Sequence, residues 1–505
     1  MNDYDRLTSK FHDFFTQDPN ACVMLGVNKY LDELPDPSVD AERAGAEHAN
    51  ELLSQVRAFP RTSLTFDQQL DLDLAALALE YEAFTPVCEG RMQLQQMPTA
   101  GHDISQGIFQ LFINDPRPSA ERLQNITARI EKIPEYLKTL LTRLDRPLQR
   151  WADIDHETIE ELPELFKTIH DWAAGENYKD IARLSQASDH ALNALHNYCI
   201  NLSAMQTTRQ FALGEEQARK LVSINGIDDT FEDLITMAKE HLEENTAIIE
   251  NLKRKLIHKY QLPRSTTTQE LHAFLNERYA VPLEDILPYY NHELANLMSF
   301  VRERNLFPIP EEQEMLIIKT PNFMEPVLPL GALDMPPPFR EGKKRSVIYL
   351  TLNEDSVYDH TRIKIPNMLL HEGIPGHHLQ LSCAHTNPSI IRKHLEANDN
   401  LEGWATMLED YLLDAGYMVD LTDESRFLTK LDNLRFAPRV AIDLYFMTGN
   451  KTYLDIGVNI DASSEDPFVN AANLLRAVTG FSESRVQAEL GWYSQEPVYP
   501  LSYLV

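Results

Sequence analysis

A mainly α fold with a small β element is what this 505-residue sequence predicts, and three observations predict it. Apolar residues recur at steps of three and four over long stretches, capping residues precede those stretches, and runs of β-branched residues are scarce. From Ala120 onward, Leu123, Ile126, Ile130, Ile133, Leu137, Leu140, Leu141 and Leu144 make one stripe. Pro134 falls inside it, so a kink or two shorter helices are expected there. Asp228-Asp229-Thr230 caps a second run whose buried face is Phe231, Leu234, Ile235, Ala238, Leu242, Ile249, Leu252 and Leu256. Its Glu240, Glu243, Glu244, Lys253 and Arg254 read as a solvated outer face. Ser346-Val347-Ile348-Tyr349-Leu350-Thr351-Leu352 is the clearest strand. Pro336-Pro337-Pro338 and the Gly331 region before it read as extended loop. A composition shift near Gly226 suggests an N-terminal helical lobe, residues 1–225, and a C-terminal lobe, residues 226–505, that carries the chemistry. An all-helical chain of this length can equally be one continuous body.

The composition, 43% hydrophobic and 24% charged, is that of a globular protein with ample core. A formal charge of −31 argues against nucleic acid as a partner, because a polyanion needs surface Lys and Arg to displace its counterions. The one basic run, Lys343-Lys344-Arg345, is expected to be a solvated turn. The four cysteines, Cys22, Cys88, Cys199 and Cys383, lie far apart without a CxxC pair, which fits a reducing compartment. Met1-Asn2-Asp3-Tyr4-Asp5-Arg6 has no signal-peptide pattern, and no apolar stretch is long enough to span a bilayer. The cytoplasm is the expected location, without membrane contact.

The chemistry concentrates in His371-Glu372-Gly373-Ile374-Pro375-Gly376-His377-His378, followed by Leu401-Glu402-Gly403-Trp404-Ala405. Two neutral imidazoles and a carboxylate are a zinc ligand set, and a Glu beside the first His can take the proton of a zinc-activated water. Pro366 suits the first turn of a helix that would carry His371 and Glu372. The usual HExxH spacing is absent. His371 to His377 is about 600° of α-helix, off a shared face, and His371 to His378 is about 10 Å along the axis. An unbroken helix therefore cannot bring either pair to one ion. Pro375-Gly376 supplies a break, since proline removes the bond to the His371 carbonyl and glycine tolerates a bulge. His377 needs the smaller distortion and is favoured; His378 is the alternative second ligand. Asp399 or Asn400 can cap a helix with Glu402 in its first turn, where Glu402 is either a third ligand or a partner of the helix dipole. Glu409, two turns on, either supports the ligands or is a surface acid.

The strings HEGIPGHHLQ and LEGWATMLEDY resemble the bacterial family known as domain of unknown function 885, which is grouped with gluzincin-type metallopeptidases. Leu434-Arg435 through Arg439 and Asp443, and Pro497 through Ser502-Tyr503-Leu504, resemble its later pattern. The resemblance covers most of the chain. It implies a large helical metallopeptidase-like fold, one Zn2+ held by His371, His377 and Glu402, Glu372 as base, and a less essential His378. The chain departs from the family at Pro497-Val498-Tyr499-Pro500, where Pro-Gly-Gln is usual, and at Met447, near which a histidine is usual. It reads to Val505, where relatives usually continue with more helix. These departures touch the substrate side and leave the metal ligands intact.

The function expected is zinc-dependent hydrolysis of short peptides, with Glu372 moving the proton from water to the leaving amine. Tyr503 is the first candidate donor to the tetrahedral oxyanion and Arg439 the second. Asp443, one turn after Arg439, could orient it; each of these three residues could equally be structural. The acidic surface is compatible with peptides bearing a free amino terminus or basic residues. Competing readings are a metal hydrolase of a non-peptide amide or ester, and a non-catalytic helical scaffold with a degenerate site. A di-iron carboxylate bundle needs paired Glu-x-x-His motifs, and none of the 17 histidines has a Glu three residues before it.

Overall fold

The computed structural model of the protein describes residues 2–88, 94–113, 115–320, 332–352, 357, 360–395 and 397–505. Helices dominate it, as the apolar periodicity requires. The first expected stripe forms Ser119–Arg143, one helix that runs through Pro134 without dividing. Pro163 and Pro288 are likewise carried inside Gln149–Gly175 and Leu283–Glu303. The second stripe forms Phe231–Lys259, with Thr230 as N-cap and Asp233 closing a capping box.

Three strands make one small sheet: β1 Gln313–Lys319, β2 Ala332–Asp334 and β3 Lys344–Leu350, in the order β1-β3-β2. β1 runs parallel to β3 with Met315 opposite Ser346, and β2 runs antiparallel with Leu333 opposite Ile348. The expected strand is thus found two residues earlier than read, and it has two partners. The basic run is a solvated turn only at Lys343, which is exposed beside the bend at Gly342. Lys344 lies in β3, buried, and its Nζ donates to the carbonyl of Arg340 at 2.6 Å, while Arg345 pairs with Glu314 at 2.7 Å. Pro336-Pro337-Pro338 is loop and turn as expected; Gly331 lies outside the described residues.

Side chains from both sides of residue 225 share the cores. Leu148 and Trp151 pack with Ala437, Val440, Leu474 and Leu490, and the Trp151 indole donates to Ser494 Oγ at 3.0 Å. Ile391 packs among Leu7, Leu52 and Leu72. Gly226 itself is a turn with φ +84 between Glu215–Ile224 and Phe231–Lys259. Helix Phe436–Thr448 is buried all round from Phe436 to Met447, the pattern of a central element. A separate core under the sheet joins Leu283–Glu303, the segment Leu369–Ile374 and helix Asn398–Asp414. That core positions the site.

Burial leaves a titration signature away from the site. His385 is buried on helix His377–Thr386, and its imidazole is pushed down to about 4, by burial first and then by Lys344. An unfolded histidine titrates near 6.5. The folded chain therefore binds fewer protons between those values, and the stability due to the neutral ring is lost as pH falls from about 6.5 toward 4. His385→Gln removes that titration. The stability gap between wild type and His385→Gln, measured by urea unfolding, should narrow by about 1–3 kcal/mol between pH 7 and pH 4; a gap that widens on acidification contradicts this account.

Candidate metal centre

His371 and Glu372 sit at the end of an interrupted helix. Lys364–Met368 is α-helical, with Pro366 buried in it, and Leu369–Gly373 continues as a wider π-turn. The chain then turns extended at Ile374 (φ −118, ψ 121), the Ile374–Pro375 peptide is cis, and a new helix starts at His377. The break is thus a junction of two helical pieces rather than a bulge within one. Its tightest point is Gly376. A Cβ there would lie 1.8 Å from the His371 carbonyl oxygen and 2.4 Å from that of Leu370, so only glycine fits.

The junction turns His377 toward His371. Their rings meet edge to face with centroids 4.9 Å apart. Glu402 completes the group: its Oε2 lies 3.7 Å from His371 Nε2 and 3.8 Å from His377 Nε2. The three potential ligand atoms fall within 4.8 Å of one another. Glu402 is carried by helix Asn398–Asp414, whose N-cap is Ala397 without a side-chain cap. Asp399 and Asn400 are therefore inside the helix, not its caps. Two residues on, the Trp404 indole donates to the Pro375 carbonyl at 2.9 Å and clamps the junction from the helix that carries Glu402. Nothing in the structure explains Gly403, where a Cβ would meet open space.

His378 faces the other way. Its Nδ1 is 2.7 Å from Ser346 Oγ on β3 and its Nε2 is 2.7 Å from Gln313 Oε1 on β1. It is fully buried and ties the helix to the sheet. The two neighbouring histidines thus serve opposite sides of one helix start.

Second contacts fix the ligand atoms. His371 Nδ1 is 2.9 Å from Glu409 Oε1, and Glu409 Oε2 accepts from Asn433 at 3.2 Å. Glu402 Oε1 accepts from the Tyr499 hydroxyl, which lies 3.4 Å from that of Tyr503. Glu402 Oε2 is left buried without a hydrogen-bond partner. Burial alone would raise the Glu402 carboxyl, but His371, Tyr499 and His377 outweigh it and hold it well below the usual range. Burial would depress His371, yet Glu402 and Glu409 raise it far above an ordinary imidazole. His377 is pushed down to about 4, by burial first and then by His371. Glu372 is raised by burial, with Glu402 and Glu409 adding to the effect and His371 opposing it. An orphaned buried carboxylate oxygen facing two imidazole nitrogens fits a small cation: two nitrogens and one oxygen are zinc donors, and ligands about 2 Å from an ion stand about 3.3 Å apart in a tetrahedron.

Arg439 and Asp443 are placed differently from the expectation. Asp443 does not orient Arg439; its Oδ2 accepts from the backbone N–H of Val498 at 2.8 Å. Val498 has φ +75, a left-handed conformation that glycine would adopt without strain. Arg439 is held by Tyr493 at 2.7 Å and Glu489 at 3.0 Å, and its guanidinium stacks 4.4 Å from the centre of the Tyr503 ring. It supports Tyr503 from behind. Sequence reading missed Tyr499, Glu489, Tyr493 and Asn433. The Tyr499–Tyr503 spacing of four was the one available signal, and a 3-10 turn carries it.

His371 and Glu372 open into a cavity of about 750 Å³, together with Glu409, Asn433 and Arg435. With the geometry in view, the family model for "Bacterial protein of unknown function (DUF885)" matches residues 19–505. The chain belongs to the DUF885 family. A proposed lipoprotein of unknown function from Shewanella oneidensis is similar in structure, with TM-score 0.76 and 17% identity over 100% of this chain and 91% of that one. A proposed lipoprotein from Colwellia psychrerythraea is similar at TM-score 0.73 and 15% identity, again over 100% and 91%. At such identities the likeness is one of fold. No curated protein matches. Among the described residues no helix is long and apolar enough to cross a membrane.

The junction gives a direct test. Gly376→Ala should lower stability by about 2–4 kcal/mol, because backbone must move to admit the methyl group. Urea unfolding measures this; an unchanged midpoint means that position 376 has more room than described.

Proposed function

We propose that this DUF885 member is a zinc-dependent peptidase acting on short peptides, with one ion held by His371, His377 and Glu402 and with Glu372 as general base. The observation that carries the reading is the buried, unpartnered Glu402 Oε2 facing two imidazole nitrogens at 3.7 and 3.8 Å. A zinc ion in that position supplies acidity to a water molecule and polarises a substrate carbonyl. The protein's own groups do the rest. Glu409 engages Nδ1 of His371 and so presents Nε2 to the ion. Tyr499 occupies Oε1 of Glu402, so that Oε2, which faces the imidazoles, would be the oxygen offered to an ion.

Glu372 lines the cavity, and burial lifts its carboxyl, which brings it nearer to the pKa of a useful base at neutral pH. It takes the proton from water and returns it to the leaving amine. Tyr503, supported by the stacked Arg439, donates to the oxyanion. A cleft of this volume favours short unfolded chains over folded proteins. The cytoplasm is the proposed location, supported by four cysteines held as thiols; cell fractionation decides it against the envelope location suggested by the two lipoprotein neighbours.

Protein purified without added metal should contain about one zinc per chain by mass spectrometry, and His371→Ala should lose it. Glu372→Gln should retain the zinc while cleavage of a mixed peptide library falls by about 10²–10⁴. Zinc-free wild type, or cleavage indifferent to chelator, sinks the reading. Tyr499→Phe removes the donor on Glu402 and should weaken zinc binding by about 10–100-fold in a competition titration.

A further inference from the structure

Arg435 precedes the buried helix Phe436–Thr448 and lines the same cavity as His371 and Glu372. Its Nη1 donates to the Asp432 carbonyl at 3.0 Å and pairs with the Asp432 carboxylate. Phe436 packs against the guanidinium at 5.0 Å. The side chain is only 15% exposed, and it lines the cavity.

The wall around it carries Lys364, Arg435 and Arg485 against Glu372, Glu409 and Asp432, so its formal charges balance. Arg485 also lines the cavity and shares Asp432, at 3.7 Å, with Arg435. Arg439 and Arg485 share Glu489, at 3.0 and 3.7 Å. Three guanidiniums thus lean on two carboxylates. Glu409, the next acid along the wall, is engaged by His371 and Asn433. Arg435 accordingly sits below the usual guanidinium range, at about 10, chiefly through burial and then through Arg439. On a chain of net charge −31 a wall with as many cations as anions is out of character, and screening confines its effect to roughly 10 Å, within the cleft.

We propose that Arg435 is a specificity residue that binds a carboxylate of the substrate, which makes the cleft selective for short peptides presenting a carboxylate. This rests on the peptidase reading of the neighbouring centre. A planar guanidinium meets a carboxylate through two parallel hydrogen bonds, and the contact is strong where water is largely excluded. The carboxylate can be the peptide's own terminus or an acidic side chain. Either reverses the preference for cationic peptides that the overall charge suggested.

The test is calorimetric binding to the full chain carrying Glu372→Gln, both zinc-loaded and with chelator, so that neither turnover nor metal accounts for the result. The probes are an alanine-rich tetrapeptide with a free carboxyl terminus, its C-terminal amide, and the amide with one internal glutamate. The free acid should bind about tenfold more tightly than the amide, and Arg435→Gln should abolish the difference. If the glutamate-containing amide binds as tightly as the free acid and Arg435→Gln abolishes both gains, either carboxylate serves and the proposal holds; if only the glutamate-containing amide gains and Arg435→Gln abolishes that, the side chain is the source and the proposal again holds. Should Arg435→Gln fail to fold, Arg435→Lys, which keeps the charge without the fork, should shrink the difference several-fold. Equal binding of all three probes, no binding of any, or discrimination that survives at position 435 overturns it. Because binding is read without turnover, the result stands apart from the zinc and Glu372 tests: wild type that never cleaves peptides leaves a carboxylate preference intact, and loss of that preference leaves the base assignment intact.

Discussion

The carbonyl oxygens of Leu370 and His371 leave no volume for a side chain on residue 376, and the site depends on that close approach. Because the backbone can double back there, a π-turn and a following α-helix present His371 and His377 to one point although six residues separate them. Helix Asn398–Asp414 closes the arrangement from the side, with Glu402 toward the imidazoles and Trp404 on the Pro375 carbonyl. The packed core beneath, from Leu297 through Leu370 to Leu408, keeps those pieces in register.

The charges are arranged with equal economy. Burying a carboxylate is unfavourable unless hydrogen bonds and opposite charge compensate. Glu402 receives Tyr499 on one oxygen and faces imidazoles with the other; Glu409 receives His371 and Asn433. Among the described residues Glu372 has no such set of donors, and burial raises it. One acid held below the usual carboxylate range and one lifted above it are thus set apart by environment rather than by residue type.

Much of this was legible in the sequence, for identifiable reasons. The long helices follow from stripes such as Leu123 to Leu144, since one face of each must be buried. The need for a break at Pro375-Gly376 follows from helix geometry, while the grouping of His371, His377 and Glu402 as candidates follows from their donor types and from the family resemblance. What could not be read is contact between distant segments. β2 is three residues long, too short for alternation to register. Lys344 reads as solvated until the strand is paired and its amine is seen to satisfy loop carbonyls. Asp443 stands four residues from Arg439, the spacing of a helical pair, yet Val498 claims it and Glu489 holds the arginine instead. Tyr499 belongs to a segment of turn, where no period indicates which way a ring points.

Glu402 and Glu409 stand seven residues apart, nearly on one line of their helix and about 10 Å apart along its axis. His371 is addressed by both, the first at Nε2 and the second at Nδ1. The imidazole is therefore strung lengthwise between two anchors on a single rod, and the pitch of that rod sets the direction of its lone pair. Adding or deleting one residue between Ala405 and Leu408 would swing Glu409 about 100° around the rod while Glu402 stayed put. The seven-residue interval is thus a ruler as much as a spacing, one that admits no change of length.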